Sequence, residues 1–495
     1  MKKFSLIQFT LIIFLLSVSG TLANNLLITN VSMLGQNTAL KQVMVKFDIS
    51  WDNSWRNMSS APFNWDAAYL FIKYKRTNGL WYHATLSKLD NAHFTGTMGT
   101  SATFSTHDSA KGTFFYRSGD GNGTISSAGV KLCWRYGFDG VSDTMNNAIT
   151  SVQVFGIEMV YVPQGSFQIG SGGTGYNEFT LQTINTSDAT AAGGHPTAYS
   201  APTTPYWPNG YNSFYCMKYE ITQRQYVAFL NTLTYQQQVS RVDNPPNFGP
   251  GTLAFNGGYR NRIEIMASGS PLPPSSATFA CDFNNNGIYD EPADGQYIAC
   301  NNLKWADGTA YADWSGLRPM TELEYEKACR GTLPAVPDEY AWGTTTYASA
   351  TILSNAGTPN EAPANVEANC NWGNWLYVQG PMRVGSCASG SRVSMGASYY
   401  GIMELSGNLW ERAVDIYRTP SKAFNGLPGD GSLDANGDAN TPNWPPNSTA
   451  EGGGFRGGTW YGYDNRARVS DRMSAQDVTN YRTNIYGFRC VLSMP

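Results

Sequence analysis

The chain has 495 residues, a net charge of −4 and only 14% charged side chains, well under the ~25% of an average globular protein. The charges are scattered without runs, which excludes an electrostatic footprint for nucleic acid. The 51 glycines, 29 tyrosines and 14 tryptophans favour strands, turns and long ordered loops over helices.

At the N-terminus, Lys2 and Lys3 precede an apolar run from Leu6 to Val18, and Thr21-Leu22-Ala23 has the small-residue form of a cleavage site. This pattern predicts a secretory signal peptide over residues 1–23, too short in its apolar part to span a bilayer. No later segment reaches ~20 continuous apolar residues, so the mature protein is expected at the cell surface or secreted, with no membrane span. Eight cysteines in an exported chain predict disulfides. Cys281 and Cys300 bracket one turn-rich loop, and Cys370 and Cys387 another. Each bridge would contribute ~3 kcal/mol. Without a C-x-x-C, thioredoxin-like and zinc-ribbon chemistry are excluded.

Residues 24–155 read as an all-β sandwich domain. Runs such as QVMVKFDISW, AAYLFIKYKR and VKLCWRYGF are separated by Asn, Gly, Ser and Asp clusters, and Val43, Val45, Phe47 and Ile49 alternate onto one face. Residues 156–495 mix strands with helices. Ile221, Tyr226, Phe229 and Leu230 form a helical stripe. Thr321 to Glu324, TELE, is a capping box that opens a helix with Tyr325, Ala328 and Cys329 inward. Long insertions at roughly 172–212, 236–300 and 418–450 are rich in Gly, Pro, Ser and Asn, and such lengths are usually functional or decorative.

One of these insertions carries a ligand-like spacing. Asp282, Asn284, Asn286 and Asp290 occupy positions 1, 3, 5 and 9 of an EF-hand pattern, with Gly287 at position 6. Position 12 is Ala293, although Glu291 and Asp294 stand close by. Two readings remain open: a calcium loop, or a plain turn closed by Cys281 and Cys300.

Eight segments occur in order along 156–495: VPQGSFQIGS, YEITQRQYVAFLN, GLRPMTELEYEKACRG, YAWG, VGS, YYGIMELSGNLWERAVD, FRGGTW and YGFRC. Together they resemble the formylglycine-generating, or sulfatase-modifying-factor, family. The resemblance implies a C-type-lectin-like sulfatase-modifying-factor domain with large loop insertions, α+β in class, following the all-β sandwich. It also implies structural roles for Trp314, Arg318, Trp342, Trp410 and Arg489.

Oxidases of that family hold Cu(I) between two cysteines in the segment after the RGG block, a soft metal between soft thiolates. Here that segment, Arg456 to Met473, has no cysteine, and Cys490 stands where the family has a structural residue. No copper is therefore expected and no catalytic residue is assigned. Iron-dependent relatives use three histidines. His83, His93, His107 and His195 show no helical i, i+4 spacing, and three of them fall in the β module.

The resemblance implies calcium instead. Glu404 and Glu411 would bind through carboxylates and Gly407 and Leu409 through carbonyls, hard oxygen ligands that suit Ca²⁺. A second family site would use Asn369 and the Cys370 carbonyl. Between the RGG and GFR frames, Trp460, Tyr461, Tyr463, Asp464, Asn465, Asn480, Tyr481 and Asn484 have paratope-like chemistry. They read either as a ligand-binding face or as the polar rim of the former cleft.

The sequence thus predicts an exported, calcium-stabilised, non-catalytic protein that binds a protein or glycan ligand at the cell surface or builds surface structure. The alternatives are a metal-dependent oxidase or oxygenase with atypical ligands, and a variable ligand-binding protein of the diversity-generating retroelement type.

Overall fold

The computed structural model describes residues 25–98, 101–373, 377–387, 390–462 and 464–494; the expected signal peptide, 1–23, lies outside them. The alternating pattern of the first module sets its packing. Strand β1 (Leu27–Asn37) pairs antiparallel with β2 (Gln42–Asn57). Every second β2 residue from Val43 to Trp51 is buried, the period that a pleated strand with one wet face requires. Strand β3 (Asn64–Arg76) is apolar on both faces because it has a core on each side. Leu70, Ile72 and Tyr74 pack with Val45, Phe47 and Trp134 in one core. Tyr69 and Phe71 enter a second core with Trp314 and Phe488.

Strands β4 (Thr113–Arg117) and β5 (Gly121–Trp134) pair with β3 and β2. Strand β6 (Ile149–Val162) then runs antiparallel to β3, from Asp66 opposite Val160 to Lys75 opposite Ser151. It also pairs with β7 (Phe214–Met217). The expected domain boundary at 155/156 therefore falls inside a strand, and one 15-stranded sheet joins both modules. The run TSVQVFGIEMV ends the first module by sequence order, yet its ladder partners lie on both sides. Where β3, β6 and β7 meet, the buried Lys218 ammonium lies 3.5 Å from Asp66 and 3.2 Å from Glu158.

The second module adds helices to this sheet. Helix α1 (Gln223–Leu230) buries Tyr226, Phe229 and Leu230, and Thr222 and Gln225 form its capping box. Helix α2 (Trp305–Ser315) is buried along its whole length. Gly308 is required there, since a Cβ would sit 1.8 Å from the Phe488 ring. Strand β8 (Arg318–Thr321) leads into helix α3 (Glu322–Arg330). At their junction the Thr321 hydroxyl accepts the Glu324 N–H at 3.2 Å, and Glu324 accepts the Thr321 N–H at 3.0 Å. This is the capping box that TELE predicts. Arg318 clamps the same carboxylate at 2.6 and 2.8 Å.

Strands β9 (Trp410–Val414), β10 (Gly453–Arg456) and β11 (Cys490–Ser493) complete the sheet, in the order β10-β9-β8-β11-β7-β6. Only β8 and β9 in that series run parallel. Long connections cover the second core. Trp207, for example, is buried and donates its indole N–H to the Ser421 carbonyl at 2.9 Å, tying two of them together. Among the described residues no helix is long and apolar enough to cross a membrane.

Candidate functional site

The GNLWE block brings carboxylates together in the interior. Gly407 turns the chain with φ +92, and Asn408 follows with φ +62. The Asn408 side chain accepts the Met382 N–H at 2.8 Å, holding this turn against the neighbouring loop. Strand β9 then carries Glu411 inward, where Arg489 contacts one carboxylate oxygen at 2.7 and 2.8 Å. Arg489 also donates to the Met217 and Met403 carbonyls at 2.8 and 2.7 Å. Glu404 (φ +56) accepts the Gly385 N–H at 2.7 Å through one oxygen. The other oxygens of Glu404 and Glu411 are buried with no hydrogen-bond partner.

A third carboxylate, Glu220, completes the cluster and was not singled out by sequence. It is fully buried and accepts the Leu409 N–H at 3.0 Å and the Asn408 amide. The signal is weak: one glutamate between Tyr219 and Ile221 at a strand end. Burial raises all three carboxyls, Glu404 to about 7 and Glu220 far above the usual range. Glu411 adds to the rise at Glu404, against Arg489 and Arg383. Two unpaired oxygens in a cluster short of positive charge fit a hard cation. Glu404 and Glu411 would hold it.

Asn369 and Cys370 lie close by, sharing with Glu404 and Asn408 a cavity of about 10 Å³. The Asn369 amide bonds Ala348 and Val393 at 2.9 and 3.0 Å, and the Cys370 carbonyl accepts the Ala350 N–H at 2.9 Å.

All eight cysteines are free thiols, so the expected Cys281–Cys300 and Cys370–Cys387 disulfides are not present in the structure. Cys281 and Cys300 share the second core. Cys300 sits 3.8 Å from the Asn261 amide and 3.6 Å from the Asn301 carbonyl, and Cys370 lies 3.6 Å from the Ala348 carbonyl. Burial raises every one of the eight thiols. Nucleophilic or metal-binding cysteines need the opposite shift.

The segment after RGGTW is pinned by arginines. Arg456 pairs with Glu322 and Glu326 at 3.2 and 2.9 Å, Arg472 with Glu322 at 2.7 Å, and Arg468 with Asp338 at 2.8 Å. Of the candidate recognition residues, Tyr461 and Tyr481 are exposed, at 38% and 65%. Trp460 points inward and donates to the Asn484 carbonyl at 3.0 Å. Asn480 ties down the Asn447 and Ser448 carbonyls at 3.1 and 2.8 Å. Asn465 and Asn484 are half-buried. Asp464 opens a short 3-10 turn, and Tyr463 lies outside the described residues. Among the described members of this set, Tyr461 and Tyr481 are thus the exposed aromatic side chains.

The four histidines are engaged locally. His83 lies between the Lys111 and Trp314 carbonyls, His93 accepts the Cys133 N–H at 3.1 Å, His107 accepts the Ser109 N–H at 3.0 Å and His195 contacts the Ala189 carbonyl at 2.9 Å. Among the described residues no three His, Cys, Asp or Glu side chains form a group able to hold a metal by themselves. Backbone or amide oxygens would have to complete any cation site.

The sulfatase-modifying factor enzyme 1-like domain family matches residues 149–494, a span that begins with β6 and includes the cluster, the capping box and the RGG frame. The chain belongs to this family. Formylglycine-generating enzyme of Thermomonospora curvata is 25% identical over 282 residues, 55% of this chain and 80% of that protein. The Streptomyces coelicolor enzyme of the same name is 28% identical over 196 residues, 38% of this chain and 51% of that one. The mouse enzyme is 22% identical over 224 residues, 43% and 53% of the two chains. The chain thus spans about half the length of the last two relatives. Among solved structures, Treponema denticola variable protein 1 aligns at 14% identity with a TM-score of 0.34, over 68% of this chain and 96% of its own.

Proposed function

We propose that this sulfatase-modifying-factor protein is an exported, non-catalytic binding or structural protein, stabilised by calcium at Glu404 and Glu411. One observation carries the reading. The segment in which family oxidases hold their cysteine pair has arginine pins and no thiol, and every cysteine elsewhere is driven by burial away from the thiolate. The scaffold is retained and its outer segment is free to serve recognition of a protein or glycan, through Tyr461 and Tyr481. The β-rich first module, a sandwich by this reading, acts as a spacer fixed to the sheet.

Recognition is tested on an array of glycans and cell-surface proteins. The Tyr461→Ser/Tyr481→Ser double variant should remain folded, with a small loss of melting temperature from the Tyr461–Trp460 ring contact at 5.7 Å. It should lose about tenfold or more in binding, since exposed aromatic anchors dominate such interfaces. Unchanged binding by the double variant would remove the assigned face.

Calcium is tested by chelation. Stripping the parent should lower its melting temperature by several degrees, as expected for loss of a ligand bound only by the folded state. Glu404→Gln should shrink that shift. This substitution is cleaner than one at Glu411, whose loss strands the Arg489 charge. A chelator response identical in parent and variant would rule the site out.

A further inference from the structure

The loop after the hairpin of Ile263–Ala267 and Thr278–Cys281 is built around oxygen atoms. Asp282 is buried and accepts the Asn286 and Gly287 N–H groups at 3.1 and 2.9 Å. The Asn284 amide oxygen accepts the Asn286 N–H at 3.0 Å, and that of Asn286 accepts the Ile288 N–H at 2.7 Å. Glu291 takes the other ends of both amides, at 3.5 and 2.6 Å, and so fixes which way their oxygens face. Each amide oxygen keeps a second lone pair for another partner.

Asp294 supplies the deciding observation. It is completely buried, and one carboxylate oxygen accepts the Glu291 N–H at 2.7 Å. The other oxygen is buried with no hydrogen-bond partner. The carboxylate faces the loop: the Asn284 backbone N–H lies near it, and the Asp282 and Glu291 charges act on it. The Asp282 and Asp294 charges also act on Glu264, on the adjoining strand, and Arg262 opposes them. A buried acceptor left unsatisfied costs about 1–3 kcal/mol, more when charged.

We propose that residues 282–294 form a calcium-binding loop in which Asp294 supplies the terminal carboxylate missing at Ala293. Asp282, Asn284, Asn286 and the Ile288 carbonyl would provide further hard oxygens of the kind that suits Ca²⁺, whereas the Asp290 carboxylate accepts the Cys281 N–H at 3.1 Å and stays outside the set. Sequence spacing alone stops one residue short of this ligand, because the EF-hand pattern places it at position 12. Binding here would brace the 236–300 insertion against the 355–361 loop, which it already meets through the Gly295 N–H and Gly357 carbonyl at 2.8 Å.

The inference is independent of the Glu404 and Glu411 reading, and calorimetric titration separates the two. Chelator-stripped full-length protein is titrated with CaCl₂ to about 10 mM, beyond the range of weak extracellular calcium modules. Asp294→Asn keeps an acceptor for the Glu291 N–H and should weaken one binding event by about tenfold or more through the lost ligand charge. Glu404→Gln should leave that event intact. Asn284→Ala/Asn286→Ala, at exposed positions, provides a second variant should Asp294→Asn fail to fold. Parent protein that takes up no calcium overturns the proposal. So does parent-like binding by a folded Asp294→Asn protein or by the double variant.

Discussion

Glu322→Ala should destabilise the protein by about 3–5 kcal/mol, the range for breaking a buried ion pair from one side. Glu322 is 1% exposed and serves two arginines that are equally buried, Arg456 at 3.2 Å and Arg472 at 2.7 Å. It also accepts the Ile416 N–H at 2.9 Å. Removing it leaves two guanidinium groups short of a carboxylate, although Arg456 keeps Glu326 and Arg472 keeps the Asn177 carbonyl and the Tyr199 hydroxyl. Burial would raise the Glu322 carboxyl, but Arg472 and then Arg456 outweigh it and hold the pKa below the usual value. The sign follows from linkage. A depressed carboxylate contributes stability that is present above its unfolded pKa, about 4.3, and is lost as pH falls through the folded value. The gap between parent and variant in urea unfolding should therefore be full at pH 7 and narrow on acidification. A gap below about 1 kcal/mol at pH 7, the level of an exposed pair, would show that the arginines are not held as described.

Lys218→Met is the second large effect, and it reports on the junction of the two modules. Lys218 is buried between Asp66 on β3 and Glu158 on β6, at 3.5 and 3.2 Å, and lies 4.9 Å from the Trp55 ring centre. Without it two buried carboxylates face each other with no cation, a loss of about 3–5 kcal/mol. Burial already raises both carboxyls. In the variant they fold most easily when protonated, so the loss should be larger at pH 8 than at pH 5. Because β6 pairs with both modules, scanning calorimetry should show one transition for the parent. If the parent instead melts in two separated steps and Lys218→Met shifts only one of them, the shared sheet does not couple the modules.

Much of the scaffold was readable from local chemistry. The capping box at Thr321 and Glu324 is a short-range pattern that needs no tertiary information and holds in the structure. So does the α1 stripe at Tyr226, Phe229 and Leu230, whereas Ile221, also placed on that stripe, lies ahead of the Thr222 cap. The alternation from Val43 to Trp51 likewise gives its buried face directly. The module boundary was not readable, because nothing in TSVQVFGIEMV says that its strand pairs on both edges. Glu220 was missed for a related reason. Its meaning comes from Asn408 and Leu409, nearly two hundred residues away, whereas its own neighbours are only apolar. Sequence also could not say that the Trp460 indole and the Asn480 amide donate to backbone carbonyls of distant segments, because those partners are set by the fold. The absence of a cysteine from Arg456 to Met473 is plain in the sequence. The structure adds that burial raises each of the remaining thiols.

We propose that this family member keeps the scaffold without the copper chemistry. The most direct test is loading the purified protein with Cu(I) under reducing conditions and measuring bound copper together with oxygen uptake on a cysteine-containing peptide. The expected result is no stoichiometric copper after desalting and no protein-dependent oxygen consumption. One copper per chain with oxygen uptake that depends on the peptide thiol would contradict it.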